Sequence, residues 1–380
     1  MGVSLKKLNE QVMVITGASS GIGLVTARTA ARRGARLVVA ARSESALQKL
    51  VQEIRTAGGE AVYVVADVGK REDVTRIAQK AREEFGGFDT WVNNAGISIY
   101  GNITDTSIED MRRLYDTNFW GVVYGSLAAV GHLRRKGGAL INVGSTVSDR
   151  AIPWQGVYSS SKHAVKGFTD ALRMELEAEG APVSVTLVKP SAIDTPYVQH
   201  AKNLLDREPS LPPPIYAPEV VAETILYCAE NPVRDVFAGF GGKAISLSGH
   251  YAPRLSDLVM ESTMFEMQRS DEPARDHGDR GLYEASGELN ERSGRPMYVV
   301  ERSLYTKATL RPLVTTALVF GAGLALAAFW PARRANNSTN GRSNGQGADH
   351  LHGQSPEDGR ASNRPRAGAW PSAAGLPAEG

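Results

Sequence analysis

The first 250 residues predict a doubly wound α/β fold on a parallel sheet, and two observations carry that expectation. Short β-branched runs alternate with longer helical stretches, the pattern of strands joined by right-handed helical crossovers. Each run is almost unbroken in apolar character, as in strands that are covered on both faces. In order, QVMVIT, RLVVAA, AVYVVA, DTWVNN, ALINVG and VSVTLV read as strands. Helices are predicted over 45–56, 72–85, 108–133, 159–179 and 218–229. A last strand falls within 235–247, where two turn-rich candidates compete.

From residue 251 the pattern changes. Residues 255–267 form an amphipathic stretch that could pack on the domain, and 270–296 mix charge, glycine and proline with little periodicity, which predicts a linker. LVTTALVFGAGLALAAFW, 313–330, carries no charged side chain. Residues 331–380 are rich in Asn, Ser, Gly, Pro and Ala and predict a disordered tail.

Composition narrows the function. The chain has 380 residues, 42% hydrophobic and 22% charged, with net charge +2. No basic stripe points to nucleic acid. Cys228 is the single cysteine, so an intrachain disulfide and a zinc-ligand cluster are excluded, no metal site is expected, and the residue reads as a small buried hydrophobe. The start, MGVSLKKLNEQVMVITG, is too short and polar for a signal peptide, and Lys6 stands where myristoylation wants Ser or Thr. The folded part is therefore expected in the cytosol.

The first strand runs into TGASSGIG. Gly17, Gly21 and Gly23 would let the backbone turn tightly and approach a pyrophosphate, whose charge the following helix N-terminus meets. This is the Rossmann-type position for a dinucleotide. At the end of the second strand an NAD site usually places an acid, but here Ala41 is followed by Arg42. A guanidinium there can hold a 2′-phosphate, so NADP(H) is favoured over NAD(H). Asp67, ending the third strand, is a candidate for the adenine edge. In YSSSK, Tyr158 and Lys162 are one helical turn apart, with phenol and ammonium on one face. An ammonium beside a phenol favours phenolate, and such a tyrosine can pass a proton to or from a substrate oxygen.

TGASSGIG, NNAG at 93–96, Asn118 in TNFWG, Ser145 in NVGS and Tyr158-x-x-x-Lys162 together resemble the short-chain dehydrogenase/reductase family over about residues 8–250. The resemblance implies that Tyr158 is the proton donor or acceptor and that Ser145 hydrogen-bonds the reacting oxygen. Lys162 would lower the tyrosine pKa and hold the nicotinamide ribose, and Asn118 would support a water-linked proton relay. Cofactor contacts are implied for Ser19, Ser20, Ile22 and Val68, for Asn94, Ala95 and Gly96, and for Pro190, Ile193 and Thr195. One departure is Pro190-Ser191, where the family has Pro-Gly; a glycine tolerates backbone angles that serine resists.

By the same resemblance Ile152, Pro153, Trp154, Tyr197 and Trp120 lie where the substrate pocket is built, and the proline-rich 211–215 where a mobile substrate lid forms. Their apolar character points to a lipophilic ketone or alcohol. His163 has no obvious partner and reads as structural. A homo-oligomer is implied as well. The stretch 313–330 either crosses a bilayer, flanked by Arg311, Arg333 and Arg334, or is buried between subunits. The first fits a helix apolar all round, and it would leave the enzyme domain facing the cytosol. The expected organisation is a cofactor-binding domain over 1–250, a helical and linker extension over 251–310, a transmembrane helix over 311–331 and a tail over 332–380. The competing reading is a membrane-tethered nucleotide-binding scaffold without catalysis.

Overall fold

The computed structural model describes residues 3–275, 281–285, 287, 289–311, 315 and 316. One compact unit covers residues 1–319. The second unit, 320–380, lies outside the described residues, as does the apolar stretch 313–330 apart from Thr315 and Thr316. Among the described residues no helix is long and apolar enough to cross a membrane.

Seven parallel strands form the central sheet: β1 (Val12–Thr16), β2 (Arg36–Ala41), β3 (Ala61–Val65), β4 (Thr90–Asn93), β5 (Gly138–Val143), β6 (Val183–Pro190) and β7 (Asp235–Ala238). Their order is β7-β6-β5-β4-β1-β2-β3. The six strands read from sequence are found, and the last is Asp235–Ala238. The pleat divides them between two cores. In β1, Met13 and Ile15 join one core with β2 residues Leu37 and Val39, whereas Val12 and Val14 join the other with Val38 and Ala40.

Helices α1 (Gly21–Arg32), α2 (Glu44–Thr56) and α7 (Pro218–Glu230) cover the first face. The second is covered by α3 (Arg71–Phe85), α5 (Gly121–Lys136) and α6 (Gly156–Ala178). Caps set several starts. Ser43 Oγ accepts from Ala46 N–H at the head of α2, and Pro218 occupies the first turn of α7. Cys228 is fully buried on α7, where desolvation pushes its thiol up to about 12, as suits a packing residue.

One sequence expectation is refined and one needs correction. The helix predicted over 108–133 is found and stays helical to Lys136, but a π-helical turn, Asp116–Trp120, lies between α4 (Ile108–Tyr115) and α5. The described parts of the segment expected to be a linker, 270–296, pack back onto the domain. Arg269–Pro273 pairs antiparallel with Arg207–Pro209, and Val299–Val300 pairs with Ile215–Tyr216. Among its described charges, Arg292 binds Glu219 and Glu301, and Arg295 binds the buried Glu208. Helices α8 (Phe240–Tyr251), α9 (Pro253–Met267) and α10 (Leu304–Leu310) complete the described chain.

Candidate active site

The strand order reverses between β1 and β4, which opens a crevice at their C-terminal ends. The loop after β1 forms its floor. Gly17 and Gly21 adopt φ of +67° and +50°, which side chains resist. Gly23 is tighter still: a Cβ there would lie 2.2 Å from the Gly17 carbonyl oxygen and 2.5 Å from Asn94 Nδ2. Asn94 donates from Nδ2 to the carbonyls of Thr16 and Gly17 at 3.0 and 3.2 Å, so the NNAG stretch is bolted to the loop. Behind it Asn93 donates to Asn142 Oδ1 at 2.8 Å and Asn142 donates to Thr169 at 3.0 Å. This buried network holds β4, β5 and α6 in register.

One cavity extends from this loop along the ends of β2 and β3. Gly17, Ser19, Ser20 and Ile22 line it on one side, and Arg42, Asp67, Val68, Asn94, Ala95 and Gly96 on the other. A second cavity, lined by Ser145, Tyr158, Lys162, Pro190 and Ile193, shares Ile22, Asn94, Gly96 and Tyr197 with the first, so the two form one cleft. A glycine cradle at one end and a phenol with an ammonium at the other suit a dinucleotide lying along the strand ends. Such a group would supply a hydride donor or acceptor when bound. Gly21, Gly23 and Thr195 do not line the cleft but shape it: a Cβ on Gly21 would meet the Thr195 side chain at 3.0 Å.

The four catalytic candidates converge from different elements. Ser145 follows the end of β5 and opens the short 3-10 turn Thr146–Ser148. Tyr158 and Lys162 lie in the first turns of α6, and both are buried. Lys162 Nζ donates to the Val143 carbonyl at 2.9 Å and stands 5.7 Å from the Tyr158 ring centroid. Asn118 sits in the π-helical turn, where the widened helix turns its amide inward. Its Oδ1 accepts from Ile97 N–H and its Nδ2 donates to the Ile97 carbonyl, both at 2.9 Å. Gly96 lies between the two groups: a Cβ there would be 3.5 Å from Asn118 Oδ1 and 3.7 Å from Lys162 Nζ, ordinary contact distances.

Burial biases the protein-only cleft towards neutral groups. It raises the Tyr158 pKa, against which hydrogen bonds from Tyr197 and Ser145 act. It also lowers Lys162 to about 8. A neutral phenol is the form needed to donate a proton to a carbonyl oxygen. The lowering of the tyrosine pKa expected from Lys162 is not seen here; the lysine instead is held against Val143. Asp67 is pulled the other way: burial opposes its charge, but Arg113 at 2.7 Å, the Gly69 N–H and Arg42 outweigh that and depress its pKa.

The lysine makes a stability prediction. Its folded pKa lies below its unfolded value of 10.5, so burial of the charge is unfavourable below pH 8, and that penalty fades as pH rises to 10.5. The stability of Lys162→Met relative to the native chain should be constant below pH 8. It should then fall by about 3 kcal/mol between pH 8 and 10.5. Denaturant melts of both proteins across that range read it out; a difference independent of pH would contradict the assignment.

The substrate side needs finer corrections. Ile152, Tyr197 and the prolines of 211–215 line the Tyr158 cavity, as expected. Trp154 does not; it packs edge-on against Phe265 at 4.9 Å. Trp120 is also absent from the lining and is half-exposed beside Tyr124. Ser191 takes no positive φ, and its hydroxyl accepts from Gly242 N–H at 3.0 Å, so serine is accommodated where glycine was expected. His163 does find a partner, with Nδ1 2.8 Å from the Ser159 carbonyl. Sequence reading missed Gln155, which lines the cavity and hydrogen-bonds Gln268 at 2.8 Å, because the pair is 113 residues apart. It also missed Gly281 and Ala285, which lie on the wall beside Arg42.

Comparison with known proteins agrees with this geometry. The family described as short chain dehydrogenase matches residues 11–204. The chain is 52% identical over 322 residues to the uncharacterized oxidoreductase YxnA of Bacillus subtilis (strain 168), covering 84% of this chain and 90% of that one. Among solved structures, an alcohol dehydrogenase from the archaeon Thermococcus sibiricus, complexed with 5-hydroxy-NADP, superposes with a TM-score of 0.53 at 30% identity over 60% of this chain and 95% of its own. A short chain dehydrogenase/reductase from Burkholderia phymatum in complex with NAD has the same fold, with a TM-score of 0.58 at 24% identity over 72% of this chain and 100% of its own. With the glycine loop, the Asn118–Ser145–Tyr158–Lys162 arrangement and these matches in hand, the chain belongs to the short chain dehydrogenase family of oxidoreductases.

Proposed function

We propose that the enzyme reduces a lipophilic ketone, or oxidises the matching secondary alcohol, with NADP(H). The observation that carries this reading is the second cavity, of about 200 Å³: Ser145 and Tyr158 stand at one end, and Leu211, Ile152, Ile245 and Met264 form apolar walls. A substrate oxygen at the polar end would accept from the Ser145 hydroxyl and the Tyr158 phenol, leaving its hydrocarbon against the apolar wall. Tyr158 gives up its proton to that oxygen in the reductive direction and recovers it through Lys162 and the Asn118 side. NADP(H) is favoured because no carboxylate ends β2 to repel a 2′-phosphate or to hold the free ribose hydroxyls of NAD(H). A series of straight-chain methyl ketones tests the substrate class. Each added methylene buried in the wall should raise kcat/KM about fourfold until the cavity is filled. A flat or falling series would contradict a lipophilic substrate.

A further inference from the structure

Arg42 was expected to read a 2′-phosphate, but its side chain is engaged elsewhere. Nη1 donates to the carbonyls of Leu282 and Tyr283, both at 3.1 Å, and Nη2 to those of Gly281 at 2.5 Å and Glu284 at 3.2 Å. A guanidinium has five N–H donors. Four are thus directed at consecutive carbonyls of one short segment, which leaves only Nε–H uncommitted. Arg113 adds a bond from Nε to the Leu282 carbonyl at 3.0 Å while pairing with Asp67.

The same segment is anchored at further points around the cleft. Leu282 is buried against the cluster containing Ile97 and Leu114, and the Tyr283 hydroxyl donates to Asp110 at 3.0 Å. Gly281 has φ +85°, and a Cβ there would lie 1.8 Å from the His200 carbonyl oxygen, so only glycine fits that approach. Further on, the Asn290 carbonyl accepts from Gly21 N–H at 2.9 Å. Glu291 pairs with Arg28 at 2.8 Å, and Ser293 donates to Asp194. Residues 281–285 are thus tied to the end of β2 and to α4, and the chain at 290–293 to the glycine loop, to α1 and to the loop after β6. Gly281 and Ala285 border the cavity without filling it, leaving about 180 Å³ beneath.

We infer that residues 281–285 are the outer wall of the adenosine subsite, built from chain beyond the seven strands of the central sheet. Arg42 is the positioning residue that holds this wall in place. This rests on the oxidoreductase reading above. The wall covers the adenosine end for either dinucleotide, so its loss speeds release of both, whereas a simple 2′-phosphate reader would matter for NADP(H) alone.

The test follows nicotinamide fluorescence of NADPH and NADH on mixing with full-length protein, which needs no substrate. Leu282 lines neither cavity, so Leu282→Ala acts only through the wall. Leu282→Ala and Arg42→Ala are expected to raise the dissociation rates of both cofactors at least about tenfold. Tyr283→Phe, which removes one hydroxyl and keeps the fold, raises them in the same direction if Leu282→Ala proves unfolded by circular dichroism. The inference is overturned if Arg42→Ala weakens NADPH only while Leu282→Ala or Tyr283→Phe leaves both cofactors unchanged. If the native chain binds neither dinucleotide, the oxidoreductase reading fails first, and this one with it.

Discussion

Replacing Tyr158 by phenylalanine should reduce turnover about 10²- to 10⁴-fold while leaving the dissociation constant for NADPH within about twofold. The phenol is buried, hydrogen-bonded to Ser145 and held neutral by desolvation. Phenylalanine keeps the ring that packs 5.6 Å from Tyr197, so the change removes a proton donor and little else. Steady-state kinetics with a responsive ketone, alongside fluorescence titration of the cofactor, separates the two effects. A variant that retained native turnover would remove Tyr158 from the chemistry. A variant that lost cofactor binding in step with turnover would make the residue structural instead.

Gly23→Ala should be nearly as damaging, through binding rather than chemistry. The new methyl would sit 2.2 Å from the Gly17 carbonyl, a backbone atom that cannot move aside as a side-chain tip could. Either α1 shifts or the loop after β1 opens, and overpacking of this kind is worth about 1–3 kcal/mol. Dinucleotide affinity is expected to fall about 10- to 100-fold, with Tm lowered by a few degrees. Gly131→Ala on α5 is the control, since a Cβ there meets nothing within 4 Å, and a helical glycine-to-alanine change is neutral or favourable. Native-like affinity in Gly23→Ala would show that the cradle is not where the phosphates lie.

Local signals made much of this legible. The strands from 12 to 190 are continuous apolar runs because the sheet is covered on both faces, and such runs survive without tertiary knowledge. The glycine loop, Ser145 and the Tyr158–Lys162 pair were readable because each depends on neighbours a few residues away. The π-helical turn at Asn118 was not, since nothing in TNFWG distinguishes a widened turn from an ordinary helix. The wall at 281–285 was hidden for a different reason. It sits in a polar, glycine-containing stretch that looks like a linker until Arg42, some 240 positions earlier, supplies the donors. Trp154 misled in the opposite sense: it lies in the right stretch, but its ring is taken by Phe265 on α9.

The central claim, that Tyr158 serves a hydride-transfer enzyme rather than a silent nucleotide-binding scaffold, is tested most directly by following an isotope. Purified protein would be given NADPH deuterated at nicotinamide C4 and a long-chain methyl ketone that fits the apolar cavity. The predicted result is an alcohol with deuterium on the carbinol carbon, formed in step with cofactor oxidation and lost in Tyr158→Phe. Tight binding of NADPH with no deuterium reaching any ketone of the series would contradict it.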